Sequence, residues 1–164
     1  MNATEEDVTL EEAVVDILKE KKLTVTTVES CTAGLLAGRL MNVAGASAVF
    51  NEGYITYSNA AKEKIVGVSH KTLEKYTAVS KETAAEMAAG AARVSGADVA
   101  VSVTGIAGPD GGTKDQPVGL VYIGCCVKGK VRVEEFHFTG NRQKNRDYAV
   151  VRALTLLREE IICL

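Results

Sequence analysis

The sequence predicts an α/β fold: a single three-layer α/β/α domain over 1–164, with a mixed, mostly parallel sheet and an antiparallel hairpin at one side. Three observations predict it. β-branched runs alternate with helical stripes along the chain, which is the order of strand–helix–strand units. One run, "ADVAVSVTG" at 97–105, is apolar without alternation, as in a strand covered on both faces. Trp is absent and aromatic residues make up only 5%, while Ala, Val and Gly abound, a composition suited to close packing of helices on a sheet.

The elements follow in order. Thr9 with Glu12 three residues on forms a capping box, and Leu10, Val14, Ile17 and Leu18 make the stripe of a first helix. "LTVTTVE" is the first strand, and a helix follows over 32–41 until "NVAGAS" ends it. "AVFNEGYITYS" reads as one or two strands with a break at Gly53. "NAAKEKIVG" is a short helix capped at Ser58 or Asn59 and stopped at Gly67, and "SHKTLEKY" is another helical turn. Ser80 caps a long Ala-rich helix, "KETAAEMAAGAARVSG". After "ADVAVSVTG" comes a Gly-rich loop, "GIAGPDGGTKDQPVG". "LVYIGCCV" and "VRVEEFHF" flank Lys128-Gly129-Lys130 as a hairpin. A last helix over 142–161 turns Tyr148, Val151, Leu154, Leu157 and Ile161 inward.

Composition excludes several functions. A net charge of −2 offers no Lys/Arg excess for nucleic acid. No segment reaches the roughly 18 apolar residues of a membrane span, and the acidic start "MNATEEDVTLEE" is no signal peptide. Cys31, Cys125, Cys126 and Cys163 show no C-x-x-C spacing, and vicinal Cys125 and Cys126 would face opposite sides of a strand. The expectation is a protein of a reducing cytoplasm, without a disulfide framework. His70 and His137 lack metal-ligand spacing, so no metal site is expected.

"VESCTAGLLAG" places Glu29, Ser30, Cys31 and Thr32 where a strand hands over to a helix. Ser30 or Thr32 there caps a helix. The same place, beside unpaired N–H groups and the positive end of a helix, suits a nucleophile. In "YITYSNAAK", Tyr57 ends a strand and Lys62 lies in the first turn of the next helix, where the dipole and burial would favour a neutral amine. Ligands of open α/β sheets collect at the carboxyl ends of strands, so both segments converge on one crevice. The loop from Gly105 to Gly119 carries five of the chain's 15 glycines, which lets backbone N–H groups approach an anion or a carboxamide. Arg142 and Arg146 share one face at the start of the last helix, where cations do not help the helix and could grip a phosphate. Cys31 is the alternative nucleophile, with His70 or His137 as its helper.

The segments "TTVESCTAG", "AVFNEGYITYSNAAKEKIVGV", "AVSKETAAEMAAGA", "VSVTGIAGPDGG" and "PVGLVYIG", in this order, closely resemble the CinA C-terminal domain family. Its characterised members are nicotinamide-nucleotide amidases of the PncC type. The resemblance implies an α/β/α fold and deamidation of nicotinamide mononucleotide to nicotinate mononucleotide and ammonia, a step of pyridine-nucleotide recycling. It implies a serine amidase served by Lys and Tyr, with no metal and no cofactor. The matching positions are Ser30, Tyr57 and Lys62 as the catalytic set. Cys31, Thr32, Thr104, Gly105, Gly108, Gly111, Gly112 and Arg142 are the substrate-facing set, with the Gly-rich loop and Arg142 toward the phosphate. A homodimer is the assembly the family suggests. Longer members carry a further N-terminal molybdopterin-binding-like domain, for which this chain is too short, so it resembles the stand-alone form. Two positions depart from the family: Asn141 stands where Asp is common, and Thr77 where many relatives have Gly.

Overall fold

A computed structural model describes residues 8–164; the acidic stretch 1–7 lies outside the described residues. The first helix, α1 (Leu10–Glu20), opens on the expected capping box, with Thr9 Oγ1 accepting from the Glu12 N–H. Then come β1 (Val25–Glu29), α2 (Leu35–Met41), a 3-10 turn (Ala46–Ala48) and β2 (Phe50–Ile55). Helices α3 (Asn59–Val66), α4 (His70–Tyr76) and α5 (Lys81–Ser95) precede β3 (Val99–Gly105). The hairpin β4 (Leu120–Val127) and β5 (Lys130–His137) leads into α6 (Arg142–Ile162).

The sheet order is β2-β1-β3-β4-β5. β1 pairs in parallel with β2 and β3, while β4 runs antiparallel to β3 and to β5. Four strands therefore share one direction and β4 alone opposes it, the expected mixed sheet. β1 and β3 sit inside it, and their unbroken burial explains the absence of alternation in "ADVAVSVTG". Lys128 and Gly129, at φ 48° and 83°, make the two-residue hairpin turn, whose left-handed pair matches the twist of the strands.

Helices cover both faces. Val14, Leu18, Leu36, Leu154 and Leu157 from α1, α2 and α6 pack on Val25, Val101 and Ile123. Val66, Leu73, Met87 and Ala91 from α3 to α5 pack on Val28 and Ala100. Cys125 belongs to the first layer and Cys126 to the second, as a strand's alternation requires. The Ala-rich α5 allows close approach: a Cβ at Gly90 would stand 1.9 Å from the Val66 carbonyl oxygen. Among the described residues no helix is long and apolar enough to cross a membrane.

Of the one or two strands expected over 48–58, β2 is one, and the break expected at Gly53 shows as a shift of register, with Phe50 facing Val25 and Gly53 facing Thr27. Two expectations are corrected. The helix expected over 32–41 starts at Leu35, because Ala33 and Gly34 take left-handed conformations, φ 47° and 95°. On α6, Tyr148 and Val151 are exposed, and the buried residues are Asn145, Ala149, Val150, Ala153, Leu154, Leu156, Leu157 and Ile161. Repeated steps of three residues fall roughly 60° short of a full turn each time, so the 148–151–154–157 series drifts off the core face.

Candidate active site

The carboxyl ends of β1, β2 and β3 open into one cavity of about 280 Å³. Ser30 follows β1, and its N–H donates to Val103 O at 2.9 Å, which extends the β1–β3 pairing by one residue. Thr56 follows β2, and its N–H donates to Glu29 O at 2.9 Å. Ser58 caps α3, its hydroxyl accepting from the Ala61 N–H. Lys62, one turn into α3, is thereby swung back under the end of β2.

Lys62 is 1% exposed, the largest fully buried side chain in the molecule's described part. Its Nζ donates to Thr56 O at 2.7 Å and to Tyr57 O at 3.4 Å, and reaches Ser30 Oγ at 3.1 Å. No carboxylate forms an ion pair with it among the described residues. Burial therefore pulls its pKa down to about 8, with the nearby Cys31 thiol acting slightly the other way.

Glu29, the acid beside Ser30, faces away from the amine. Its carboxyl oxygens accept from the Leu36 and Ala37 N–H groups at 2.9 and 3.1 Å. It is the side-chain cap of α2, a part that the sequence had offered to Ser30 or Thr32. Ser30 is free of that duty.

Cys31 lines the cavity, but its side chain is buried and burial pushes its thiol up to about 11. The thiolate of a cysteine nucleophile is disfavoured there. Neither histidine helps: His70 bonds Glu63 and Glu74 on the surface, and His137 bonds Glu135.

Tyr57 lines the cavity, yet its side chain is 63% exposed and its hydroxyl bonds neither Ser30 nor Lys62 among the described residues. Its tie to Lys62 runs through its backbone carbonyl. Thr104, Gly105, Gly108, Gly111 and Arg142 all line the cavity, as grouped from sequence. Thr104 Oγ1 donates to Ala78 O at 2.7 Å, fastening the opposite wall. Gly105 is needed for contact, since a Cβ there would stand 2.8 Å from Leu120 O. Thr32 and Gly112 lie outside the lining: Thr32 is fully buried behind Cys31, and Gly112 packs against the Val118 backbone.

Several residues of the site escaped the sequence reading. Ala78 and Val79 form the far wall, which Gln116 braces by donating to Val79 O at 2.7 Å and Thr77 Oγ1 at 3.0 Å. Thr77 sits at φ 70°, ψ 174°, a conformation that is essentially glycine's. Asn145 is buried, donates to Ala107 O at 3.0 Å and accepts from the Gly140 N–H at 2.9 Å. Arg146 Nε donates to Cys31 O at 2.9 Å. Arg146, grouped with Arg142 by sequence for a phosphate, spends its guanidinium on the Cys31 and Thr32 carbonyls instead and does not line the cavity, whereas Asn145, a lone Asn in the first turns of a helix, carries no signal that singles it out.

The model of the CinA C-terminal domain matches residues 7–161. A putative competence-damage inducible protein of Clostridium novyi (strain NT) is 58% identical over 156 residues, covering 95% of this chain. The match spans 38% of that relative's length. A second, from Clostridium acetobutylicum, is 53% identical over 95% of this chain and again 38% of the relative. Among solved structures, the competence/damage inducible protein CihA of Agrobacterium tumefaciens has 41% identity and a TM-score of 0.87, covering 96% of this chain and 97% of its own. A CinA superfamily protein of Klebsiella pneumoniae gives 33% identity and a TM-score of 0.91, with 94% and 97% covered.

Proposed function

The chain belongs to the CinA C-terminal domain family, and from that premise we propose that it is a serine amidase acting on nicotinamide mononucleotide. One observation carries the reading: a buried lysine without a counter-ion, its Nζ 3.1 Å from the hydroxyl of Ser30. A neutral amine at that distance accepts a proton; a surface lysine does not.

In the proposed reaction the Lys62 amine takes the Ser30 proton and Oγ attacks the carboxamide carbon. Backbone N–H groups of the nucleophile turn hold the tetrahedral oxyanion. The Lys62 ammonium returns the proton to the leaving nitrogen, the C–N bond breaks and ammonia departs. Water then attacks the acyl ester, Lys62 takes its proton, and nicotinate mononucleotide leaves with Ser30 restored. Tyr57 forms part of the wall against the pyridine, and the Gly-rich loop with Arg142 meets the phosphate. The buried, free cysteines suit the reducing cytoplasm in which pyridine nucleotides are recycled.

The deciding experiment incubates the purified protein with nicotinamide mononucleotide and measures ammonia. Release by the wild type and its loss in Ser30→Ala, with nucleotide binding retained, is the expected result. A Ser30→Ala protein with more than a tenth of wild-type turnover would remove Ser30 as the nucleophile.

A further inference from the structure

The glycine-rich loop between β3 and β4 lines the cavity with Ile106, Ala107, Gly108, Asp110 and Gly111, and Ala78 and Val79 form the wall beside it. Two sets of side-chain bonds hold the loop. From α6, Asn145 Nδ2 donates to Ala107 O at 3.0 Å and Arg142 donates to Gly108 O at 2.8 Å. Toward the wall, Gln116 alone makes the tie among the described residues. Its Nε2 donates to Val79 O at 2.7 Å and to Thr77 Oγ1 at 3.0 Å.

Gln116 acts on the lining through packing. It is closed onto Thr113 by two bonds, Thr113 N–H to Gln116 O at 2.7 Å and Gln116 N–H to Thr113 Oγ1 at 3.0 Å. Two residues on, Val118 carries the lining segment. A Cβ on Gly108 would stand 2.5 Å from Val118 Cγ1, and one on Gly112 would stand 2.8 Å from the Val118 nitrogen. The loop is thus folded on itself, and the Gln116 amide fixes where it sits against the wall. The receiving end is held at a cost. Thr77 keeps a backbone conformation, φ 70°, that a residue with a side chain adopts only where its neighbours enforce it, a feature concentrated at ligand clamps. Those neighbours are on hand: the Ser80 and Thr83 hydroxyls donate to Thr77 O at 3.2 and 2.6 Å, and the Val79 N–H donates to its Oγ1 at 3.3 Å.

Resting on the serine-amidase reading, we infer that Gln116 and Thr77 form a latch that holds the glycine-rich loop in its substrate-binding position. Both are positioning residues: neither lines the cavity, and neither bonds Ser30 or Lys62 among the described residues. The latch sets how tightly the mononucleotide is held and leaves the attack of Ser30 alone. With the latch open, the binding-competent fraction falls and the apparent affinity falls by the same factor.

The test separates KM from kcat on nicotinamide mononucleotide. Gln116→Ala should raise KM by about 5- to 150-fold, the worth of two neutral hydrogen bonds, at nearly unchanged kcat. Thr77→Val, with the same shape and no hydroxyl, should raise KM less, and Thr77→Ser, which keeps the hydroxyl, should behave as wild type. The double variant Gln116→Ala/Thr77→Val should raise KM by less than the product of the single effects, because the two residues share a bond. A second readout is phosphonylation of Ser30 by a small alkyl fluorophosphonate, followed by intact mass. The Ser30 Oγ–P bond forms, the P–F bond breaks with loss of fluoride, and the Ser30 proton passes to Lys62. The reagent has neither ribose nor pyridine for the loop to hold, so its rate and pH midpoint should stay at the wild-type values in every variant. KM of Gln116→Ala and Thr77→Val both within threefold of wild type overturns the inference and leaves the amidase reading standing. So does a raised KM joined by slower labelling or a shifted pH midpoint, which marks general damage to the site. A wild type that frees no ammonia from nicotinamide mononucleotide overturns the amidase reading, and the inference with it.

Discussion

Lys62 reaches Ser30 from 32 residues away in the chain, and the two heavy atoms, Nζ and Oγ, stand 3.1 Å apart with no carboxylate paired to the amine among the described residues. The amine is solvated by two backbone carbonyls in place of water, and carbonyls stabilise an ammonium less well than a carboxylate would.

The first consequence is kinetic. With a pKa of about 8, roughly one Lys62 in eleven is neutral at pH 7, against fewer than one in a thousand for an ordinary lysine. We expect kcat/KM to rise with pH along a limb whose midpoint is near 8. Lys62→Arg should be inactive at every pH, because guanidinium does not give up its proton in proteins. Near-normal turnover of that variant would show that Lys62 supplies only positive charge.

The second concerns stability. Folded Lys62 holds its proton less tightly than the unfolded chain does, about 8 against 10.5. Unfolding therefore takes up a proton between those values, and stability rises with pH across that window. Below about pH 8 the fold bears the whole penalty, about 3 kcal/mol for a shift of this size. Lys62→Met removes it. The stability of the variant relative to wild type should fall by about 3 kcal/mol between pH 7 and pH 10.5 in urea unfolding. A difference independent of pH would mean an ordinary proton affinity for Lys62.

Tyr57 tests the direct route of the proton. A relay through its phenol would make Tyr57→Phe lose about 10²- to 10⁴-fold in turnover, the usual share of a general acid–base group. The exposed phenol has no bond to either partner, so we expect a loss below tenfold, measured as kcat on nicotinamide mononucleotide.

Arg142 should distinguish substrates. It lines the cavity and donates through one guanidinium nitrogen to Gly108 O at 2.8 Å, leaving other donors for a ligand. Arg142→Ala should raise KM for the mononucleotide roughly 10- to 150-fold, the value of one charge-assisted contact. The riboside, which lacks the phosphate, should be little changed. Equal losses on both would show that Arg142 does not read the phosphate.

Much of this arrangement is legible in the sequence. Ser58 and Ser80 cap their helices because local side-chain bonds need only a few residues of context. The convergence of Ser30 and Lys62 follows from parallel strands ending at one edge of the sheet. Glu29 as the cap of α2 was not legible: it depends on the left-handed backbone at Ala33, which no side chain announces. The contacts of Asn145 and Arg146 were hidden for another reason. Their partners lie 38 and 115 residues earlier, and only the rotation of α6 on the sheet brings them into reach. Thr77 lies between these cases: the departure was visible, but its cost became evident only with a φ of 70°.

Cys125 and Cys126 face opposite layers, Cys31 is buried beside the nucleophile, and Cys163 alone of the four is exposed. A chromogenic disulfide reagent should thus count one fast thiol in the native protein and four once it unfolds. Because Cys31 and Cys125 lie in one core layer and Cys126 in the other, the order in which they become countable records which layer opens first. The chain carries its own stoichiometric clock of unfolding, with no added label.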